Sequence, residues 1–225
     1  MNRARNAILS RVRSSLNAQS GDQERSRAAL ARIIEHPALL VPERARGAAA
    51  NNVALLRTFL EGQQAQVLEV PSADAVPEAV AGYLHNMDLG KTVRMGTDPR
   101  LLAMPWATED RLSVLAAGAA EADDRVGLSH ALAGVAETGT LVIGAGANNP
   151  VTLAFLPATH IIVVARHSIV GSYEDAISLV RDTYGETGMP RTLNYISGPS
   201  RTADIGGKIV IGAHGPRNLC VIVTG

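Results

Sequence analysis

Apolar residues recur at every fourth position near the start of the chain, at Ile8, Val12 and Leu16, with arginines between them. That spacing predicts an amphipathic helix over residues 3–17 with its arginines on the wet face. Residues 17–22, with Ser and Gly, read as a hinge, and a second helix follows over about 23–35. Pro37 and Pro42 then open a loop. Val53, Leu56 and Leu60 share one face of a helix over 48–60 that stops at Gly62. Beyond it, short apolar runs alternate with helical stretches. AQVLEV (65–70), TVRMG (92–96) and LSVLAAG (112–118) read as strands, and a helix starts at about Pro77 with Ser72 or Asp74 as candidate caps. This alternation predicts parallel βαβ units and a layered sheet with helices on both faces.

From Val126 the texture changes. VGLSHA, GTLVIGA and HIIVVA succeed one another through short Gly, Pro and Asn turns, a pattern expected of a strand-rich insert or a sheet edge. Residues 172–184 carry the clearest helical signal. Ser172 and Asp175 form a capping-box-like start, Tyr173, Ile177, Val180 and Tyr184 a buried stripe, and Gly185 the stop. LNYIS (193–197), KIVIGA (208–213) and LCVIVT (219–224) close the chain as strands. The expected organisation is a helical extension over 1–46 followed by one α/β domain over 47–225. That domain has a mostly parallel sheet, flanking helices and a smaller β subdomain.

Composition narrows the function classes. No apolar run approaches the roughly 18 residues of a membrane span, and the opening stretch has no apolar core of a secretory signal. A soluble, cytoplasmic protein without a membrane partner is expected. There is one cysteine, Cys220, in the apolar run LCVIV. One thiol builds neither an intramolecular disulfide nor a four-thiolate zinc or iron–sulfur site, and its setting reads as core. Residues 1–60 hold 10 Arg against 4 acidic residues, yet no aromatic residues interleave with them for base stacking, so no nucleic-acid partner is expected.

Three Gly-containing turns concentrate polar groups. Glu137-Thr138-Gly139-Thr140 leads into a strand that exits at Gly144-Ala145-Gly146-Ala147-Asn148-Asn149. Ser197-Gly198-Pro199-Ser200-Arg201-Thr202-Ala203-Asp204 and Gly212-Ala213-His214-Gly215-Pro216-Arg217 follow later. Small residues after a strand let backbone N–H groups approach an anion, and hydroxyls add donors. The expected ligand-binding set is Thr138, Gly139, Thr140, Gly198, Ser200, Arg201 and Thr202. Glu137, Asp204 and His214 are the candidate acid–base groups. Each has a plainer reading beside it: a salt bridge and cap for Arg201 and Asp204, a turn residue for Glu137, a loop hydrogen bond for His214. The GAGANNP run has neither dinucleotide-fingerprint spacing nor a P-loop ending. The six histidines include no pair at i, i+4, so no metal site is expected.

Together, AETGTLV (136–142), ISGPSRTADI (196–205) and GAHGPRNL (212–219) resemble the lactate-utilisation (LUD) domain family. The resemblance implies a fold similar to the NagB/RpiA/CoA-transferase-like group. It also implies a role in oxidising L-lactate to pyruvate beside separate iron–sulfur proteins, with this chain as the component without clusters. It leaves open which cofactor, if any, the chain binds and whether the chain is itself an enzyme. In the family the residue after Ala-Asp-Ile is usually acidic, whereas Gly206-Gly207 stand here. A role for that acid would fall to Asp204 or Glu137. The alternative reading is an independent enzyme that takes a phosphorylated, CoA or folate-like anion on the same type of fold.

Overall fold

The computed structural model describes residues 2–17, 22–37, 41–115, 117–185, 188–205 and 208–225. The chain divides into two compact units, Met1–Leu40 and Val41–Gly225. The first contains helices α1 (Asn2–Ser15) and α2 (Gln23–Glu35). The Asp22 carboxylate caps α2 by accepting from the Arg25 amide at 3.0 Å, satisfying one of the first-turn donors.

The second unit runs α3 (Asn52–Gly62), β1 (Gln66–Val70), α4 (Val76–Asn86), β2 (Thr92–Met95), α5 (Pro99–Leu102), β3 (Ser113–Val114), β4 (Val126–His130), β5 (Ala133–Val135), β6 (Thr140–Ala145), β7 (Thr159–Ala165), β8 (Ile169–Val170), α6 (Tyr173–Tyr184), β9 (Thr192–Ile196), β10 (Arg201–Ile205), β11 (Lys208–Ile211) and β12 (Asn218–Thr224). Six strands form a parallel sheet in the order β1-β12-β7-β4-β2-β3. A second, mixed sheet has the order β8-β5-β6-β9, and β10 and β11 pair as a separate antiparallel ribbon.

The period-two rule sorts the central strands onto two cores. Ile162 and Val164 of β7, with Leu219, Val221 and Val223 of β12, pack with Leu56 and Leu60 of α3 and Leu141 and Ile143 of β6. The alternate residues Ile161, Val163, Cys220 and Ile222 pack on the other face with Val80 and Leu84 of α4. α6 closes the outer face of the mixed sheet, setting Ala176 and Val180 against Ala133, Val135 and Val142. The result is the expected layered α/β core with a smaller β subdomain.

Three details differ from the sequence reading. VGLSH and HIIVVA are not an insert or an edge: β4 and β7 lie inside the parallel sheet. A strand buried on both faces is apolar without alternation, and short turns say nothing about its place in the sheet. LSVLAAG contributes only the two-residue edge strand β3. In α6, Ala176 rather than Ile177 joins the buried stripe with Val180, because the helix turns its smallest residue toward the closely packed sheet. Ser172 does cap α6, accepting from the Asp175 amide at 3.2 Å while its hydroxyl donates to the Asp175 carboxylate at 2.7 Å. The 3₁₀ turn preceding α4 begins at Ser72 without a side-chain cap bond.

Candidate functional site

Two of the three turns singled out in the sequence meet. The Ser200 amide donates to the Pro216 carbonyl and the Gly212 amide to the Ser200 carbonyl, both at 2.8 Å. These bonds clamp the loop leaving β9 onto the loop entering β12. Ser197, Gly198, Ser200, Arg201 and His214 thereby line one cavity of about 270 Å³. His160 and Phe155 complete its wall. Arg201 Nη2 donates to the Gln63 carbonyl at 2.9 Å and to Gln64 Oε1 at 3.1 Å. Both acceptors are uncharged, so the guanidinium charge at this rim remains available to an anion. Thr202 pairs with Val210 across the ribbon, and His214 is exposed. Asp204 lies on β10, but its side chain falls outside the described residues, as do Gly206 and Gly207.

The first turn reaches this cavity through one hydrogen bond. Thr140 Oγ1 is the centre of a hydroxyl cluster: it lies 2.7 Å from Ser197 Oγ, 2.9 Å from Tyr173 Oη and 2.8 Å from Thr138 Oγ1. Thr138 also donates to Tyr173 Oη at 3.1 Å. Four hydroxyls therefore satisfy one another around the buried Thr140, while Thr138 and Tyr173 are half-buried and Ser197 is exposed. Thr140→Val is expected to lower stability by about 1 kcal/mol, since it removes the buried hydroxyl that links Thr138, Tyr173 and Ser197; urea unfolding of the two proteins measures it. Glu137, 3% exposed, receives Arg44 Nε at 3.2 Å, so its buried charge is met by a guanidinium that is itself 63% exposed. The contact ties the turn between β5 and β6 to the segment ahead of α3.

The exit of β6 goes elsewhere. Residues 144–149 line a separate cleft of about 680 Å³ with Asp98, Arg100 and His130. The three turns are thus divided, two of them at one cavity and part of the third at another. The physical reason is strand length: β6 spans six residues, so its two ends lie at opposite ends of the sheet.

His130 and His160, not singled out by sequence reasoning, are the buried histidines at these two sites. Burial lowers His160 to about 3, and burial with the nearby Arg100 charge lowers His130 to about 4. His160 Nε2 lies 3.1 Å from Ser129 Oγ, and its Nδ1 is buried without a partner. Burial alone tends to raise Asp98, but the Arg100 hydrogen bonds and charge outweigh it and hold the carboxylate below its ordinary range. The available signal was an ionisable residue at the end of an apolar run: a strand covered on both faces desolvates such a group on whichever side it lies. Cys220 is core as expected, its thiol pushed up to about 12 by burial.

A parallel six-stranded sheet backed by a small mixed sheet, with ligand-sized hollows at its two ends, defines the class of protein. The LUD domain family model matches residues 53–224, and the chain belongs to that family. Over 100 residues it is 36% identical to lactate utilization protein C of a Geobacillus species, a stretch covering 44% of this chain and 41% of that protein. Over 99 residues it is 35% identical to lactate utilization protein C of Bacillus subtilis, again 44% and 41% of the two chains. An uncharacterized protein of Neisseria meningitidis is 36% identical over 96 residues, 43% of this chain and 40% of that one. The alignments span about two fifths of these relatives' length. Among solved structures, a DUF162 family protein from Deinococcus radiodurans is 25% identical with a TM-score of 0.58, covering 80% of this chain and 99% of that one. No described helix is long and apolar enough to cross a membrane.

Proposed function

We propose that this chain is the non-iron–sulfur component of a system that oxidises L-lactate to pyruvate, and that the cavity rimmed by Arg201 receives a small carboxylate. The observation that carries the reading is the family membership together with the similarity to proteins named lactate utilization protein C. The chemistry of the chain is consistent with a division of labour. Its one thiol is buried and held protonated, so cluster ligation and electron transfer fall to iron–sulfur partner proteins. The small cavity offers a guanidinium whose partners are neutral, the Ser197 and Ser200 hydroxyls and an exposed imidazole at His214. A three-carbon acid matches that set in size and charge.

The test has a cellular and a molecular arm. Deleting the gene in a strain without another lactate dehydrogenase is expected to abolish growth on L-lactate as carbon source; unimpaired growth sinks the pathway assignment. In the purified protein, L-lactate or pyruvate at a hundredfold excess over its Kd would stabilise the fold by about 2.7 kcal/mol. Arg201→Ala is expected to weaken that binding at least tenfold while leaving thermal unfolding of the unliganded protein unchanged within about 0.5 kcal/mol, as for an exposed side chain. Equal affinity of the two proteins removes Arg201 from the site.

A further inference from the structure

The larger hollow lies at the C-terminal ends of β2 and β4, the edge of a parallel sheet where ligands usually bind. Asp98 follows β2, His130 is the last residue of β4, and residues 144–149 form the facing wall. Its volume, about 680 Å³, is more than twice that of the cavity around Arg201.

The hydrogen bonds fix the chemistry of His130. Its Nδ1 lies 2.7 Å from the Ala131 carbonyl oxygen. A carbonyl can only accept, so Nδ1 carries the ring proton and Nε2 carries the lone pair. Arg100 Nη1 donates to the same carbonyl at 3.3 Å, and Arg100 is held there by Asp98 through Nε–Oδ1 at 3.0 Å and Nη2–Oδ2 at 2.7 Å. Burial first, and the Arg100 charge second, keep the ring neutral. Asp98 fixes the place of Arg100 through these bonds, and the two act as positioning residues. Among the described residues Nε2 has no protein partner, while His130 retains 6% exposure and lines the cleft. Arg191 lines the same cleft, and no described carboxylate pairs with it. Leu132, Met189 and Pro190 supply an apolar wall.

One hydrogen-bond acceptor, one cation with no carboxylate partner among the described residues and an apolar wall specify a ligand by complementarity. We propose that this cleft binds a hydroxy acid with an apolar side chain: the hydroxyl donates to His130 Nε2, the carboxylate meets Arg191, and the side chain lies on Leu132, Met189 and Pro190. This site is separate from the lactate reading, which concerns the smaller cavity.

The experiment is an NMR titration of protein carrying isotope-labelled histidine, with L-3-phenyllactate as probe. Its ring signals report the two hollows separately, His130 for the cleft and His214 for the small cavity. Saturable shifts at His130 are expected, with affinity at least tenfold weaker for 3-phenylpropionate, which lacks the hydroxyl, and for L-lactate, which lacks the apolar arm. Arg191→Ala, at an exposed position that leaves the fold intact, is expected to weaken L-3-phenyllactate at least tenfold; His130→Gln is expected to do the same by thermal shift. Unmoved His130 signals at millimolar L-3-phenyllactate, equal affinity for 3-phenylpropionate, or shifts confined to His214 would each overturn the proposal. Shifts at His214 with L-lactate are read in the same spectra, so failure of the cleft and failure of the lactate reading are distinguishable.

Discussion

Lowering the pH from 7 to 4 is expected to remove about 3 kcal/mol of folding stability through His160 alone. The imidazole is buried in the cavity wall, has the Ser129 hydroxyl as its hydrogen-bond partner, and has a folded-state value of about 3 against an ordinary 6.5. Its folded value is depressed, so the unfolded chain takes up a proton as pH falls through 6.5 while the folded protein does not. Stability is full above that pH and drains away between 6.5 and about 3. His130, lowered to about 4, acts in the same direction, and the carboxylate of Asp98, held low by Arg100, adds to the loss further into acid. Urea unfolding at intervals between pH 7 and 4 gives the slope. His160→Gln places a neutral amide within reach of Ser129 and is expected to flatten that slope by about 3 kcal/mol over the interval. An unchanged slope would mean that His160 is protonated as readily in the folded protein as in the unfolded one.

The same two histidines mark where the sequence was hard to read. The layered fold was legible because its signals are local: Ser172 caps α6, Val53, Leu56 and Leu60 share one helical face, and alternating strands and helices imply parallel connections. The pairing of strands is not local. Nothing in HIIVVA says that β7 lies between β12 and β4, and so nothing says that His160 stands beside Gly127 and Leu219, with Ser129 in reach. Without that register His160 looks like a strand-end residue in solvent. The site was legible in part for a related reason. Glycine and hydroxyl residues after strands locate the turns at 197–201 and 212–217, but only the Ser200–Pro216 and Gly212–Ser200 bonds bring them together. Residues 144–149 carry the same composition and serve a different hollow.

Gly139 shows how such a residue can answer to a second demand. In the sequence it suggests a backbone opened toward an anion. In the structure it has φ +66°, and a Cβ built on it would lie 2.5 Å from Phe59 Cβ and 3.0 Å from the Leu60 amide nitrogen. Its requirement is for α3 to pass close by. Gly139→Ala is expected to cost about 3 kcal/mol, roughly 1 from the left-handed backbone and the rest from forcing α3 away. The helix has little room to yield, because Leu56 and Leu60 on the same element are fully buried in the core. Any shift that does occur moves Thr138 and Thr140, so the hydroxyl cluster and its link to Ser197 fail together. Gly90→Ala separates the two contributions: φ there is +80°, with nothing within 4 Å of an added Cβ, so only the backbone cost of about 1 kcal/mol is expected. Equal losses for the two variants in urea unfolding would show that α3 gives way freely. In that case the glycine answers to backbone conformation alone, and the turn regains its claim as a place where backbone amides face a ligand.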